Sequence, residues 1–390
     1  MNDAAKTPTP TRVAWLAGAA TVYHRAPVLQ PLSTGLFRSE VALLLCAPAA
    51  APADLLEPAV DVRRYRQPWR GFGRKRARQQ VANHVRDFGV DVIHALDASS
   101  AALAADVAER ADRPYVVSCY GVTDRRYLER RDERLVGVLA AGQAVRERLE
   151  RGRGMHAPVR VVQPGLDAAG PAKHLPRSDR IVTILADAMG DNRQAMQVLL
   201  EAYAELLQRD HACALFIMDS GRQERRLRTH ARQLGVSAEV TFVNPQPDTD
   251  YGDIIHGADV FVAAPAHREL SLHTLQAMGA GVPVMAWPDA AADYVIDGET
   301  ARVPDGVSAA AATRTLTEML TDHGVTDAQA ERALGYVRQK HDPARMVADV
   351  AAFYREVLSD EAVAETPEPD GQSEPAKEDE PTDQAAADRE

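Results

Sequence analysis

The residues best suited to chemistry lie near position 270, where a predicted loop meets a predicted helix over Leu270–Gly279. Arg268 and Glu269 come directly before this helix, and Ser271 lies at its start. A helix start presents unpaired N–H groups and the positive end of the helix dipole, both of which favour a bound phosphate. The guanidinium fork of Arg268 also suits phosphate oxygens. The segment therefore predicts an anion site, although most helix starts bind nothing.

A second set of polar side chains follows a predicted strand in the first half of the chain. His94 lies near the end of strand Val90–Ala95, and Asp97 and Ser99 follow it. Ligands of parallel sheets bind at the carboxyl ends of the strands, so these residues are candidates to face a ligand. The alternative for His94, and the commoner one for a strand-terminal histidine, is a hydrogen-bonded structural role. No group of His, Cys, Asp and Glu has the sequence spacing of metal ligands, so we expect no metal or other cofactor.

Length and composition favour two globular domains. A chain of 390 residues exceeds the size at which a single core stops growing, and 45% of its residues are hydrophobic. Its three cysteines are scattered in apolar runs, which indicates buried thiols in a reducing compartment. The N-terminus lacks the pattern of a signal peptide, and the longest apolar stretch, Val41–Ala53, contains prolines and is too short to span a bilayer. We expect a cytoplasmic protein.

The negative charge is concentrated at the C-terminus. Residues 360–390 hold 12 acidic and 2 basic side chains, a net of −10, whereas the whole chain carries −11. This segment is rich in Pro, Ala, Gln and Ser and has almost nothing to bury, so it is predicted to be disordered. It is either a docking tail or a solvated extension without a partner.

Short apolar runs alternate with helical patterns along the rest of the chain, which predicts an α/β protein with parallel sheets. The alternation stops after Gln163-Pro164-Gly165 and restarts near Ile181, so we expect two doubly wound, Rossmann-like domains that face each other across a cleft. The predicted parts are a flexible N-terminus (1–11), a first domain (12–167), a linker (168–180), a second domain (181–345), a helix that packs back toward the first domain (346–359), and the disordered acidic tail (360–390).

Several segments, in order, resemble glycosyltransferase family 4. They are a Pro-Gly-x-Asp at Pro164–Asp167, the helix Leu199–Tyr203, the stretch Ala277–Val284 with its Gly-Val-Pro, and the turn Asp297–Thr300. The likeness covers about residues 12–358. It implies a GT-B fold, a nucleotide-sugar donor bound by the second domain without metal, and transfer with retention to a glycan or lipid-linked acceptor. Polysaccharide biosynthesis is the process that the resemblance implies.

The residues that this family uses for chemistry differ here. The His-Gly pair after the strand Tyr115–Cys119 reads Tyr120-Gly121. The family's Gly-Arg pair and its Lys correspond to Ala188, Met189 and Gln194, and its two glutamates to Arg268 and Gln276. A leaving diphosphate needs opposing charge, which methionine and glutamine do not supply. A tyrosine of ordinary pKa donates a hydrogen bond but accepts a proton poorly near neutral pH.

The resemblance implies three groups of site residues. We expect the donor to contact polar groups that replace the family's own, since Arg193 and Glu269 each lie one position from an expected charge and the Gln276 amide can bind a ribose. The candidates are Tyr120, Glu269 and Arg268 as catalytic residues; Arg193, Gln194, Gly221, Leu270, Ser271 and Gln276 at the donor; and His94, Asp97 and Gly121 on the acceptor side. Two alternatives stay open: a non-catalytic protein that binds a sugar nucleotide or a partner, and a sugar-nucleotide epimerase.

One basic segment stands apart from these candidates. Residues 63–86 hold nine Arg and Lys side chains and no acidic one, with Trp69 and Phe72 between them. This composition is typical of a surface that meets phosphate, such as anionic lipid at the inner face of a membrane. An Arg-rich solvated helix face is the equal alternative. Nucleic acid is not expected, because no recognition motif accompanies the charge.

Overall fold

The computed structural model describes residues 10–66, 73–128, 132–151, 155–171, 181–188, 193–244, 251–263, 269–287 and 292–359. Most of the predicted N-terminal segment (1–11), residues 67–72 of the basic segment, residues 172–180 of the predicted linker, the predicted site residues Arg268 and Met189, and the whole acidic tail (360–390) lie outside these ranges.

The first half of the chain forms a parallel sheet that has seven strands within the described residues, in the order β3-β2-β1-β4-β5-β6-β7. Strands β4 and β5 are buried along their length and β1 is buried from Val13 onward, as continuous apolar runs covered by helices on both faces require. The strands are β1 (Thr11–Leu16), β2 (Val41–Pro48), β3 (Asp61–Tyr65), β4 (Val92–Ala95), β5 (Tyr115–Cys119), β6 (Leu135–Ala140) and β7 (Val159–Val161).

Two helices lie between the first two strands, where the sequence analysis assigned none. Pro27 and Pro31 obscure the helical pattern there, but Pro27 stands at the helix start, where proline costs no hydrogen bond. The helices of this half are α1 (Ala19–His24), α2 (Ala26–Arg38), α3 (Arg74–Phe88), α4 (Ala101–Ala111) and α5 (Gln143–Glu150).

The second half forms a parallel sheet with five described strands in the order β10-β9-β8-β11-β12. The predicted α/β class with two doubly wound sheets is thereby confirmed. The strands are β8 (Val182–Asp187), β9 (Cys213–Met218), β10 (Val240–Val243), β11 (Val260–Ala263) and β12 (Val284–Ala286). The helices are α6 (Arg193–Gln208), α7 (Glu224–Gln233), α8 (Tyr251–His256), α9 (Leu272–Gly279), α10 (Ala309–Thr321), α11 (His323–Lys340) and α12 (Pro343–Leu358).

The two halves join where Pro164 and Gly165 pass the start of α12. The His341 ring and Pro164 O lie 2.9 Å apart, and Leu166 N donates to His341 O at 2.9 Å. A Cβ on Gly165 would lie 2.5 Å from Pro343 Cα, so only glycine fits between these backbones. Helix α12 then returns to the first domain, packing on α2, and Trp15 Nε1 donates to Tyr354 Oη at 3.1 Å. The pairing of Pro164-Gly165 with the α12 start thus fixes the junction of the domains.

The carboxyl ends of strands from both sheets point into the cleft between the domains, which positions the site. From the first sheet come the segments after β1, β4 and β5, and from the second come the ends of β8 and β9 with the start of α9. Within the described ranges, no helix is long and apolar enough to cross a membrane.

Candidate functional site in the interdomain cleft

Arg25, between α1 and α2, is the buried cation of the cleft. Its side chain belongs to the first domain and makes an ion pair with Glu269 of the second. It also donates to Leu96 O at 2.6 Å, and its guanidinium carbon lies 3.6 Å from the centroid of the Tyr120 ring. Burial disfavours the guanidinium charge, but Glu269, then Tyr120 and Asp97, outweigh it and raise the pKa of Arg25. Arg25 therefore remains charged and joins the two domains.

Backbone contacts close the cleft at the same point. Leu270 N donates to Tyr120 O at 2.9 Å, and Gly121 pairs with Glu269 in an antiparallel bridge. The Asp124 carboxylate accepts from Tyr120 N and Gly121 N at 2.9 Å each. The loop after β5 is thus held from both sides, and it presents its carbonyl group to the second domain.

Deeper in the cleft, two histidines and two aspartates converge. Asp187 ends β8, Asp219 follows β9, His273 lies in the first turn of α9, and His24 ends α1 in the other domain. Asp187 Oδ2 lies 3.1 Å from His273 Nδ1, and Asp219 Oδ1 accepts from the Tyr251 hydroxyl at 3.0 Å. Asp219 has φ 54°, a left-handed conformation that an aspartate adopts more readily than most residues.

The environment moves the pKa values of this cluster in different directions. Burial would lower the pKa of His273, but the Asp187 carboxylate outweighs it and the pKa is raised. Burial lowers the pKa of His24, against the attraction of Asp219. Burial also raises the pKa of Asp219, against the attraction of His273. His273 is therefore the member of the cluster best able to carry a positive charge.

At the start of α9, the structure differs from the expectation of unpaired backbone N–H groups. The helix begins at Leu272, and Ser271 is its N-cap, with its hydroxyl accepting from Thr274 N at 3.3 Å. Ser271 N donates to the Tyr294 hydroxyl at 3.1 Å, and Leu270 N is bound to Tyr120 O. These amides are already paired, so the expected phosphate cradle at Leu270 and Ser271 is not free in this conformation.

His94 and Asp97, both predicted on the acceptor side, are bound inside the first domain. His94 is 1% exposed, with Nδ1 2.6 Å from Tyr354 Oη and Nε2 2.8 Å from Ser118 Oγ. Asp97 accepts from Thr21 Oγ1 at 2.7 Å and from Ser100 N at 2.9 Å. Burial opposes its charge, but hydrogen bonds from Ser99 and Thr21 outweigh burial and hold the pKa of Asp97 low. The polar atoms of both side chains already have partners within the protein. We therefore assign His94 and Asp97 a structural role beneath the cleft.

The remaining predicted site residues lie in different environments. Burial raises the pKa of Tyr120 although Arg25 opposes it, so this hydroxyl is a weaker proton acceptor than the ordinary value assumed from the sequence. Arg193 and Gln194 are exposed at the start of α6, and Gly221, at φ 47°, has open space around it. Of the predicted catalytic group, Tyr120 and Glu269 come together around Arg25.

A cavity of about 720 Å³ lies at the domain junction, where residues of α2, α8, α9 and the start of α12 line it. Gln276, in the second turn of α9, borders it, and its buried amide oxygen has no hydrogen-bond partner among the described residues. Buried polar atoms are almost always paired with protein, water or ligand. The cavity is also lined by Arg38 and Thr34 of α2, Asp167 of the junction and His256 of α8. Its size and its unpartnered amide indicate a small-molecule site.

Two facing parallel sheets joined by a short crossing and a returning C-terminal helix define a GT-B glycosyltransferase fold. Anabaena HepE in complex with UDP and glucose is similar, with a TM-score of 0.72, 17% identity and coverage of 89% of this chain and 100% of that one. Sucrose-phosphate synthase from Thermosynechococcus elongatus is similar to the same degree, at a TM-score of 0.72 and 15% identity over 89% of this chain and 99% of that one.

Sequence comparison identifies the family. The model described as Glycosyltransferase Family 4 matches residues 28–169, and that described as Glycosyl transferases group 1 matches residues 180–322. The chain belongs to glycosyltransferase family 4.

Curated relatives match over part of their length. A D-inositol 3-phosphate glycosyltransferase of Corynebacterium jeikeium is 28% identical over 183 residues, covering 41% of this chain and 43% of the relative. The lipopolysaccharide core biosynthesis glycosyltransferase LpsE of Rhizobium meliloti is 28% identical over 141 residues, 36% of this chain and 40% of the relative. The matched segments thus span less than half of each of these relatives.

Sequence reasoning missed Arg25, His24, Asp187, Asp219 and His273 as site residues. His273 is in fact 1% exposed and bound to Asp187. Asp187 and Asp219 could have been found by asking which polar residues end the strands of the second sheet. No such signal marked His24 and Arg25, because the helix that carries them was not recognised.

Proposed function

We propose that this protein transfers a glycosyl group from a nucleoside diphosphate sugar to a glycan or lipid-linked acceptor, with retention of the anomeric configuration. One observation carries the proposal: the cavity of about 720 Å³ at the domain junction is lined by Gln276, whose amide oxygen is buried and has no hydrogen-bond partner among the described residues. The Gln276 amide can bind a ribose hydroxyl. Family membership and the GT-B fold support the same reading.

Polar groups elsewhere in the cleft agree with this use. A nucleoside at Gln276 directs its diphosphate along α9 toward His273 and its sugar toward Glu269 and Tyr120. Arg25 supplies a cation on the sugar side, where sequence analysis expected Arg268 or Arg193. Retention is proposed because the resemblance to family 4 implies it.

The acceptor end of the proposal includes contact with an anionic membrane surface. Arg74, Lys75 and Arg76 are exposed at the start of α3 and are available to lipid phosphates. Other cations of the basic segment are engaged by the protein itself, since Arg78 pairs with Asp106 and Arg64 with Asp54. The surface offered to a membrane is therefore smaller than the count of basic residues indicates.

Calorimetric and thermal-shift titration with UDP, GDP, ADP, TDP and their sugars tests the donor. Ligand at 100 times its Kd stabilises the native state by about 2.7 kcal/mol, which raises the unfolding midpoint measurably. We expect one nucleotide to bind and its sugar to be slowly hydrolysed without acceptor. Gln276→Leu should weaken nucleotide binding while the matched variant Gln233→Leu, at an exposed glutamine of α7 in the same domain, leaves it unchanged. The absence of a response to every nucleotide would refute the proposal, and tight binding without hydrolysis or transfer would favour the non-catalytic alternative.

A further inference from the structure

We propose that His24, Asp219 and His273 form a binding site for a divalent transition-metal ion of the zinc class, which bridges the two domains. The sequence analysis expected no metal because these residues are far apart along the chain, but folding brings one potential ligand atom of each within 4.8 Å of the others. Two imidazoles and one carboxylate are a frequent zinc donor set, which leaves a fourth position open for water or substrate.

Unpartnered atoms within the cluster support this assignment. His24 Nδ1 and Asp219 Oδ2 are both buried, and neither has a hydrogen-bond partner in the part of the chain that the structure describes. A buried nitrogen and a buried carboxylate oxygen without partners are costly in a folded protein. A metal ion satisfies both at once. The remaining movement is small, because ligand atoms of a tetrahedral zinc site lie roughly 3.3 Å apart at normal bond lengths.

The surroundings of the three residues match those of metal ligands. His273 uses Nδ1 toward Asp187 Oδ2, at 3.1 Å, which leaves Nε2 for a metal. A carboxylate behind a ligating histidine fixes the ring and raises its basicity. The second oxygen of Asp219 accepts from Tyr251, and the Tyr251 ring stacks on His273 at 4.4 Å between centroids. Stacking leaves the ring plane, in which a metal binds, unobstructed.

The charges of this part of the cleft also favour a cation. Asp187 and Asp219 place two carboxylates beside the start of α9, and a bound divalent ion would neutralise them. This binding does not depend on the proposed function.

Titration of metal-stripped full-length protein with Zn²⁺, without nucleotide, tests the site directly. We expect one equivalent to bind to the native protein, and His24→Ala to lose that binding. The matched control His156→Ala, at an exposed histidine of the same domain, should bind as the native protein does. His24→Cys should restore binding, since a thiolate is also a zinc ligand. Asp187→Asn should weaken the affinity by about 10- to 100-fold through loss of the support behind His273.

Co²⁺ provides a second measurement because its visible absorption reports the coordination geometry. We expect a tetrahedral spectrum in the native protein and in His156→Ala but not in His24→Ala or Asp219→Asn. Equal Zn²⁺ binding by the native protein and His24→Ala, or no binding by either, would overturn the proposal. The Zn²⁺ and Co²⁺ titrations contain no nucleotide, so their failure is distinguishable from that of the proposed function.

Discussion

Replacing Arg25 by methionine tests whether this residue joins the domains through charge or through packing. The side chain is 8% exposed and has three partners: Leu96 O, the Tyr120 ring and Glu269. Methionine keeps much of the apolar volume and removes the charge. We therefore expect the variant to fold with its packing largely retained and to lose the polar contacts between the domains.

The expected loss of stability follows from these partners. The hydrogen bond from a charged group to Leu96 O contributes about 1.5–3 kcal/mol. The contact with Tyr120 contributes about 2 kcal/mol where it is desolvated. The Glu269 side chain is 55% exposed, so the ion pair contributes at most about 1 kcal/mol. Methionine avoids the desolvation of the guanidinium, which costs several kcal/mol and offsets much of this sum. We expect a net loss of about 2 kcal/mol.

Urea denaturation of four proteins measures this quantity: the native protein, Arg25→Met, Glu269→Gln and the double variant. The coupling free energy of the cycle should be below about 1 kcal/mol because Glu269 is solvated. Arg148→Met is the matched control at an exposed arginine of α5, expected to change stability by less than about 0.5 kcal/mol. A coupling of 3 kcal/mol or more, on the order of a desolvated pair, would refute the reasoning, as would a stability of Arg25→Met equal to that of the control.

Three further predictions concern other parts of the molecule. Burial lowers the pKa of His94 to about 3, so the unfolded chain binds a proton that the native state does not as pH falls below 6.5. This difference in proton binding should lower the free energy of unfolding by about 1.4 kcal/mol for each pH unit below 6.5. In urea denaturation at pH 4 to 7, His94→Gln should show a shallower dependence of that free energy on pH than the native protein. Identical slopes would contradict the assignment. Gly165→Ala should cost about 1–3 kcal/mol because its Cβ meets the Pro343 backbone, whereas Gly335→Ala, at an open helical position, should be neutral or stabilising in the same melts. Burial raises the pKa of Cys46 to about 12 and of Cys213 to about 11, and it also raises that of Cys119, so a thiol reagent should label none of them in the native protein and all three after denaturation; rapid labelling of the native protein would contradict their burial.

The pattern of the sequence was sufficient for the fold because its signals are local. Alternation of strands such as Val13–Ala17 and Ile181–Ala186 with helical periodicity predicted two parallel sheets, and both are present. The helix boundaries were predicted less accurately than the order of the strands and helices. Helix α9 begins two residues later than predicted because Ser271 caps it, and α12 begins at Pro343 because Asp342 provides the cap. Helix α2 was missed because its prolines mask a pattern that packing enforces.

The site was predicted less completely because its residues come from both domains. Sequence reasoning selected Tyr120, Glu269 and Gln276, and these do lie along the cleft or beside its cavity. It could not find that Glu269 is bound by Arg25. That pair exists because one sheet places a residue after β1 opposite a residue after β11 of the other. Contacts across a cleft produce no periodicity or characteristic spacing in the sequence, so sequence patterns could not reveal this pair.

The sequence by itself determined the class of fold, the family and the segments that form each sheet, because hydrophobic periodicity and turn residues act on near neighbours. Only the tertiary structure decided which polar groups meet. It buried His94 beneath the cleft, capped the start of α9 with Ser271, and brought His24 to Asp219 and His273. The physical reason is that burial, hydrogen bonding and Coulombic attraction depend on distances in space, which are set when the two domains pack together.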